Sequence, residues 1–403
     1  MWVYLICFRR VRRLSLYWKL RTMMWRWMWI LLGVWVVMFW NVECLFDPFD
    51  DPMKNDDEFT AGALRHWTWS RFEKKRDGIA QTIMAVADQT GELPALVGLA
   101  EVENRMVVSQ LVRKTLLEEL GYGYVHRESP DERGIDVALL YRKDCFRPLT
   151  VDSLRIPGHV TRDILYVKMR RLSRIGTHAE DLSHRTPVPA QVVNDTIGAA
   201  PSVSPVSGSS VSETSVVPVS DSLISPVNGS SVIPGSDRES VHVFVVHFPS
   251  KRGGAKASDG RRAAALGVLE RAVDSLLRID PASCILVMGD FNEAAVTVAG
   301  LAAPPFAAPP FAAPLAVPST AVATSTPAQS AAPGTIKYHG RWEQIDHFFV
   351  SPSMEGHMQI FAPPFLLEDD PAYLGTKPRR TYVGPRYHGG LSDHLPIIFK
   401  AGD

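Results

Sequence analysis

Short apolar runs rich in β-branched and aromatic residues alternate along this chain with segments whose apolar positions recur every three to four residues. The run Val34 to Trp40 (VWVVMFW) reads as a buried β-strand. Arg71 to Ala87 brings Phe72, Ile79, Ile83, Val86 and Ala87 onto one helical face, and the apolar run Leu96 to Ala100 follows, so a helix leads into a strand. Ile135 to Tyr141, Ile164 to Met169 and Val241 to Val246 predict further strands, and Arg261 to Arg278 predicts a helix with Leu266, Leu269, Val273, Leu276 and Leu277 inward. Strands at Cys284 to Met288, Ile345 to Val350 and Leu395 to Lys400 complete the series. Many strands with few helices between them predict layered sheets covered by helices.

Two segments break the pattern. Residues 173–239 are rich in Ser, Val and Pro, and S-P-V-[SN]-G-S-S-V occurs at Ser204 to Val211 and again at Ser225 to Val232. Two copies without aromatic residues do not build a solenoid, so an unpacked, disordered insertion is expected. Residues 300–334 are Ala/Pro-rich, with A-A-P-P-F at Ala302 to Phe306 and Ala307 to Phe311. Proline at that density blocks helix and sheet ladders alike, which predicts a second insertion. One domain is then expected over residues 34–401, interrupted twice and preceded by an extension over residues 1–33.

That extension is basic from Arg9 to Arg26, and the uncharged run Trp27 to Trp40 is 14 residues long. A membrane-spanning helix needs about 20 apolar residues. The basic and apolar parts suit an export signal or a peripheral membrane element, although no A-x-A cleavage site follows. Export or association with the cell envelope is therefore expected ahead of a cytoplasmic location. A spanning helix over Trp27 to Trp40 would consume the first strand.

Composition narrows the function classes. With 403 residues there is chain for one large domain or two ordinary ones. Hydrophobic residues make up 46%, and 43 Lys+Arg balance 43 Asp+Glu, which excludes a wholly disordered chain and a globally basic nucleic-acid coat. Attraction to polyanions must come from a local patch. Cys7, Cys44, Cys145 and Cys284 are scattered singly, a spacing that argues against structural zinc and a disulfide framework.

Several apolar runs end abruptly in a carboxylate, amide or imidazole, the arrangement by which sheet-based enzymes set catalytic groups on loops at strand ends. These ends are W-N-V-E (Trp40 to Glu43), L-A-E-V-E-N (Leu99 to Asn104), V-V-H-F-P-S-K (Val245 to Lys251), M-G-D-F-N (Met288 to Asn292) and L-S-D-H-L-P (Leu391 to Pro396). Singly, each reads as a turn former. Together with Q-I-D-H (Gln344 to His347) they occur in an order that resembles the endonuclease/exonuclease/phosphatase superfamily over about residues 34 to 401.

The resemblance implies an α+β fold, a four-layer α/β/β/α sandwich of two packed mixed β-sheets with outer helices. It also implies a metal-dependent phosphoesterase. Phosphodiester cleavage gathers negative charge, which a hard divalent cation on oxygen ligands stabilises, so Mg2+ is the expected cofactor and Mn2+ a substitute. Glu101 is the leading metal ligand, with Asn41 and Asp393 completing the shell directly or through water. Asp290 and Asn292 would orient and deprotonate the attacking water. His394 would contact the phosphoryl oxygens or act as acid, with Asp346 fixing its tautomer. His247 is a second imidazole at the phosphate, where deoxyribonuclease-like and sphingomyelinase-like members carry histidine and abasic-site endonucleases asparagine. Asp136, in R-G-I-D-V, is the candidate partner of His247, against the reading of an ordinary surface carboxylate.

Other features divide between a functional and a packing role. Lys251, Arg252, Lys256, Arg261 and Arg262 with Gly253 and Gly254 form a basic loop that would bind substrate phosphates through Lys251 and Arg252, or else a solvated loop. The acidic stretch Asp47 to Glu58 lacks the calcium-loop pattern and reads as solvated. Trp67 and Trp69 read as packing residues ahead of a helix, and Cys44 as a small, partly buried apolar residue. The function expected is cleavage of a phosphodiester, with DNA or RNA ahead of lipid or inositol-phosphate substrates. A catalytically silent binding protein is the rival from another class, and no obligate protein partner is evident.

Overall fold

The computed structural model describes residues 35–172, 240–250, 255–293, 332–351, 354 and 356–401. The expected N-terminal extension, residues 173–239 and the bulk of the Ala/Pro-rich segment lie outside the described residues. At the C-terminal end of that segment Ala332 is buried, as is Thr335 just beyond it.

Eleven strands build two large sheets. They are β1 (Trp35–Leu45), β2 (Leu96–Val102), β3 (Tyr122–His126), β4 (Asp136–Arg142), β5 (Phe146–Leu154), β6 (Ile164–Arg171), β7 (Ser240–His247), β8 (Cys284–Asp290), β9 (Asp346–Val350), β10 (Gly356–Ile360) and β11 (Ile397–Ala401). One sheet runs β10-β11-β1-β2-β4-β3 and the other β9-β8-β7-β6-β5. Both are mixed: β1 and β2 are parallel in the first, β7 and β8 in the second, and the other neighbours are antiparallel. A parallel pair needs a crossover, and each has a helix for it. Helix α1 (Trp69–Thr90) links β1 to β2, and α3 (Ala255–Ile279) links β7 to β8. A short α2 (Arg105–Arg113) follows β2, with the Asn104 side chain accepting a hydrogen bond from the Val107 N–H.

Strand alternation assigns each apolar residue to one layer. Val36, Met38 and Trp40 of β1 face α1 and α2, packing on Phe72, Ile79, Ile83 and Val86. Val37 and Phe39 face the other sheet and meet Val243, Val245, Leu286 and Met288. Phe244, Val246, Ile285 and Val287 pack on Ala265, Leu269 and Val273 of α3. The result is the four-layer α/β/β/α sandwich, with each fully buried Val, Ile or Phe contributing about 1.5–3 kcal/mol. Gly289 shows how tightly β7 and β8 meet, since a Cβ there would lie 2.3 Å from the Val246 carbonyl oxygen. Among the described residues no helix is long and apolar enough to cross a membrane.

Candidate active site

The two parallel pairs end at one edge of the sandwich, and their last residues meet there. In the second sheet the register aligns His247, Asp290 and Asp346 in one row across β7, β8 and β9. In the first sheet Asn41 continues the parity of Val37 and Phe39 and so points between the sheets. Beyond it the ladder slips, between Asn41 and Leu45 on β1 and between Ala100 and Val102 on β2. Glu43, Cys44 and Glu101 take φ of 52°, 53° and 60°, values that non-glycine residues seldom adopt. Leu99 and Val102 both face the helices although they are three residues apart. Glu101 is therefore the extra residue of a bulge, turned toward Asn41.

Hydrogen bonds hold this geometry. The Glu43 N–H donates to Asn41 Oδ1 at 3.0 Å, and the Cys44 N–H donates to Glu101 Oε2 at 3.0 Å. Asn41 Nδ2 donates to Glu101 Oε1 at 3.4 Å and to Asp290 Oδ2 at 3.1 Å, bridging the two sheets. Asp290 Oδ1 accepts from the Asn292 N–H at 2.8 Å, and Asn292 Nδ2 donates to the Phe248 carbonyl. His247 Nε2 lies 3.7 Å from both Glu101 Oε1 and Asp290 Oδ2, and His394 Nε2 lies 3.8 Å from Asp290 Oδ2. His394 Nδ1 faces Asp346 Oδ2 at 2.8 Å. Two further bonds fix the His394 backbone: its carbonyl accepts from Trp40 Nε1, and its N–H donates to Ser392 Oγ.

Burial and neighbouring charge give the two imidazoles opposite states. His247 is held well below its ordinary value by burial, then by Arg162, Arg133 and His394, so it is neutral. Burial also acts downward on His394, but the charge and hydrogen bond of Asp346, with Asp290 and Asp393, hold it well above. Asp290 is pushed up to about 7 by burial and by Asp346, against the pull of His394.

Most of the residues expected from the sequence converge here. Glu101, Asn41, His247, Asp290, Asn292, Asp346 and His394 form one contact network. Asp393 lines the same cavity, which has a volume of about 300 Å³, but its Oδ2 accepts from Arg380 at 2.6 Å. The pairing of Asp136 with His247 is not made. Asp136 lies 3.3 Å from His126 Nε2 and accepts from the Ser129 N–H, because its position on β4 turns it to the helix side of the sheet. Lys251 and Arg252 lie outside the described residues. Arg262 is not free for phosphate: it is buried, pairs with Asp259 and Glu293, and donates to the Pro249 carbonyl. Cys44 does more than fill space, since its Sγ donates to Glu101 Oε2 at 3.2 Å. Trp67 is packed as expected, whereas Asp47 and Asp56 of the acidic stretch are buried rather than solvated.

Sequence reasoning missed the residues that brace the site. Lys75, fully buried on α1, donates to the Glu43 carbonyl and to Thr381 Oγ1. Arg380 spans Glu43 and Asp393. Glu43 is raised to about 7 by burial and by Asp393, with Lys75 and Arg380 opposing. Arg162 donates to the carbonyls of His247 and Phe248 and pairs with Asp131. A lysine and an arginine (Lys75, Arg76) on the core side of an otherwise apolar helix face were the available signal.

The donor set fits a divalent cation. Glu101 and Asp290 bring carboxylate oxygens to one amide, burial and Asp346 hold Asp290 against ionisation, and Asp346 Oδ1 is buried without a partner. Asp290, Asp346 and His394 offer ligand atoms all within 4.8 Å of one another. Added positive charge would relieve this crowding.

Three solved structures illustrate the fold's likenesses. A humanized D. rerio TDP2 carrying 14 mutations is 11% identical, with 92% of this chain and 99% of that one covered and a TM-score of 0.45. The mannosyl-6-phosphatase of Bacteroides thetaiotaomicron is 13% identical, with 91% and 99% covered and a TM-score of 0.47. The human nocturnin catalytic domain with bound sulfate is 14% identical, with 91% and 94% covered and a TM-score of 0.43. No curated protein matches the chain in sequence. The sequence profile described as "Endonuclease/Exonuclease/phosphatase family" matches residues 36–174 and 214–402. The chain belongs to that family of metal-dependent phosphoester hydrolases.

Proposed function

We propose that the chain is a magnesium-dependent phosphodiesterase that cleaves DNA or RNA. The observation that carries this reading is the pair of buried imidazoles in opposite charge states, His247 and His394, each within 4 Å of Asp290 Oδ2. Hydrolysis of a diester needs a base at the attacking water and proton or charge help at the phosphoryl and leaving oxygens. Asp290, with Asn292 fixing its carboxylate, takes the proton from the water. His394, charged and backed by Asp346, donates to the phosphoryl or leaving oxygen. Neutral His247 donates a hydrogen bond to the phosphate from Nε2. Glu101, with Asn41 and Asp393 in the shell, would hold a divalent cation, which would supply positive charge at the phosphoryl oxygens.

Nucleic acid is favoured because the cavity wall carries Arg65, Arg133 and Arg380, and Ser250 begins the basic segment with Lys251 and Arg252. Contacts to successive phosphates add affinity that falls steeply with salt. A second reading, a small phosphoester substrate, is favoured by the aromatic part of the same lining, where the Arg65 guanidinium lies 4.9 Å from both the Phe59 and Tyr382 rings. The test is a panel of plasmid DNA, RNA, sphingomyelin and inositol polyphosphate with and without Mg2+. Magnesium-dependent nicking or RNA cleavage, weakened by raised salt and by Lys251→Ala with Arg252→Ala, is expected. Hydrolysis of the lipid or the inositol phosphate with no nucleic-acid cleavage would transfer the assignment to the second reading.

A further inference from the structure

A second group of metal-binding side chains lies on the other face of the first sheet. Across β3 and β4 His126 stands opposite Ala138. Extending that register brings Glu128 opposite Asp136, so all three share one face. Ala138 and Leu140 pack toward the helices, and the Arg105 N–H at the start of α2 donates to Glu128 Oε1, which identifies that face as the helix side. Asn41 points between the sheets, so this group is separate from the catalytic row.

The His126 side chain is only 2% exposed, yet its Nε2 has no hydrogen-bond partner. That atom faces Asp136 Oδ2 at 3.3 Å, and Nδ1 lies 3.7 Å from Glu128 Oε1. Burying a ring nitrogen without a partner costs free energy that folded chains seldom leave uncompensated. The separation itself suggests what compensates it. Two ligands at 2.0–2.2 Å from one tetrahedral ion stand about 3.4 Å apart. The other Asp136 oxygen is occupied by the Ser129 N–H, which fixes the carboxylate and leaves Oδ2 turned to His126. One ligand atom from each of His126, Glu128 and Asp136 lies within 4.8 Å of the others, and Glu128, 60% exposed, opens the site to solvent.

We propose that His126, Glu128 and Asp136 bind a divalent transition-metal cation, with Zn2+ the best match, in a site distinct from the catalytic one. Imidazole with two carboxylates suits zinc better than magnesium, whose ligands are oxygens. A neutral imidazole and two carboxylates balance the ion's charge, and water fills the fourth position. The ion would tie the end of β3 to the start of β4 and so clamp the connecting turn. That turn carries Arg133, at the cavity wall, and Asp131, which holds the Arg162 that braces His247.

Isothermal titration of the full chain with Zn2+ tests this, because it reads binding and not turnover. Wild type and Asp290→Asn are expected to share one tight equivalent. His126→Ala and Asp136→Asn should lose it, and Glu128→Gln, at an exposed position that does not threaten folding, should weaken it at least about tenfold, as loss of one ligand does. X-ray absorption of the loaded chain should show nitrogen and oxygen ligands only. Unchanged Zn2+ affinity in folded Glu128→Gln and Asp136→Asn, or sulfur in the coordination shell, would overturn the proposal.

Discussion

Asp346→Asn removes one charge from the buried pair with His394 while keeping the side chain's size. His394 Nδ1 and Asp346 Oδ2 are 2.8 Å apart, and both residues are buried. Unit charges about 4 Å apart at an effective dielectric near 20 interact by about 4 kcal/mol, which is roughly a thousandfold in proton affinity. Burial alone pulls this imidazole below its ordinary value, and Asp346 is the largest influence opposing it. Without that carboxylate the balance inverts and His394 becomes neutral at pH 7. For Asp290 the two losses oppose each other, since Asp346 raises it and His394 lowers it. The change is therefore concentrated on His394. Turnover should fall by about 10² or more, the usual worth of a charged acid at the reacting group. The assay is kcat/KM against pH, alongside the His394 ring titration followed by NMR. In wild type the falling limb lies well above 6.5, and in the variant it moves down. Stability should follow the same linkage. The folded value of His394 lies above its unfolded one, so its contribution is full below about 6.5 and is lost as pH rises through the folded value. The melting deficit of the variant should thus be larger at pH 6 than at pH 9. An unmoved falling limb, or a deficit that does not change with pH, would refute the reasoning.

Asp290→Asn should lower turnover by about 10²–10⁴ with cooperative melting intact. In the cation-free wild type Asp290 should titrate at about 7, read by NMR, and in the cation-loaded enzyme the rising limb of kcat/KM should lie lower. Because the folded value is raised from 3.8, the stability linked to that proton is lost as pH rises through about 7, so cation-free Asp290→Asn should melt above wild type at pH 8. Residues 173–239 are expected to be dispensable for the chemistry: Arg170 and Ser240 already pair across β6 and β7, so a short Gly/Ser turn would close an ordinary hairpin. Closure entropy changes by only about 0.6 kcal/mol per doubling of loop length, and loss of cooperative melting on that replacement would show that the segment packs on the domain.

The most legible strands in the sequence were those buried on both faces. Val36 to Trp40, Val243 to Val246 and Ile285 to Met288 are continuous apolar runs because one face meets the opposite sheet and the other a helix. Of the eleven strands in the two large sheets, the three that escaped, β3, β5 and β10, all lie at sheet edges. Phe146–Leu154 has exposed Arg147, Leu149 and Thr150, and Gly356–Ile360 fully buries only Met358, so neither presents an apolar run. Helix α2 escaped for a different reason. Asn104 reads as the polar end of a strand, whereas its side chain caps a nine-residue helix whose apolar face, Val107, Val108, Leu111 and Val112, spans little more than one turn.

For the site, residue type at the end of an apolar run was enough to select the residues, but not to pair them. His247 and Asp290 meet because parallel neighbours end in register, and Asp346 joins them because β9 starts where β8 stops. Such a row can be written down once strand order is known. The first sheet obeys no such rule. Regular alternation would turn Glu101 to the helices, and one bulged residue with φ of 60° turns it to Asn41 and His247 instead. Glu43, Cys44 and Asn292 share that backbone conformation, and none is glycine, so no residue preference marks the turn. Conformations of this kind cost about 1–3 kcal/mol each and persist where surrounding bonds fix them. Here those bonds come from Asn41, Glu101, Thr381, Lys75 and Asp290, residues up to 338 positions away in sequence. The same logic misassigned Asp136. It stands on β4 at the position facing the helices, and with no bulge to turn it, it belongs to His126 rather than to His247.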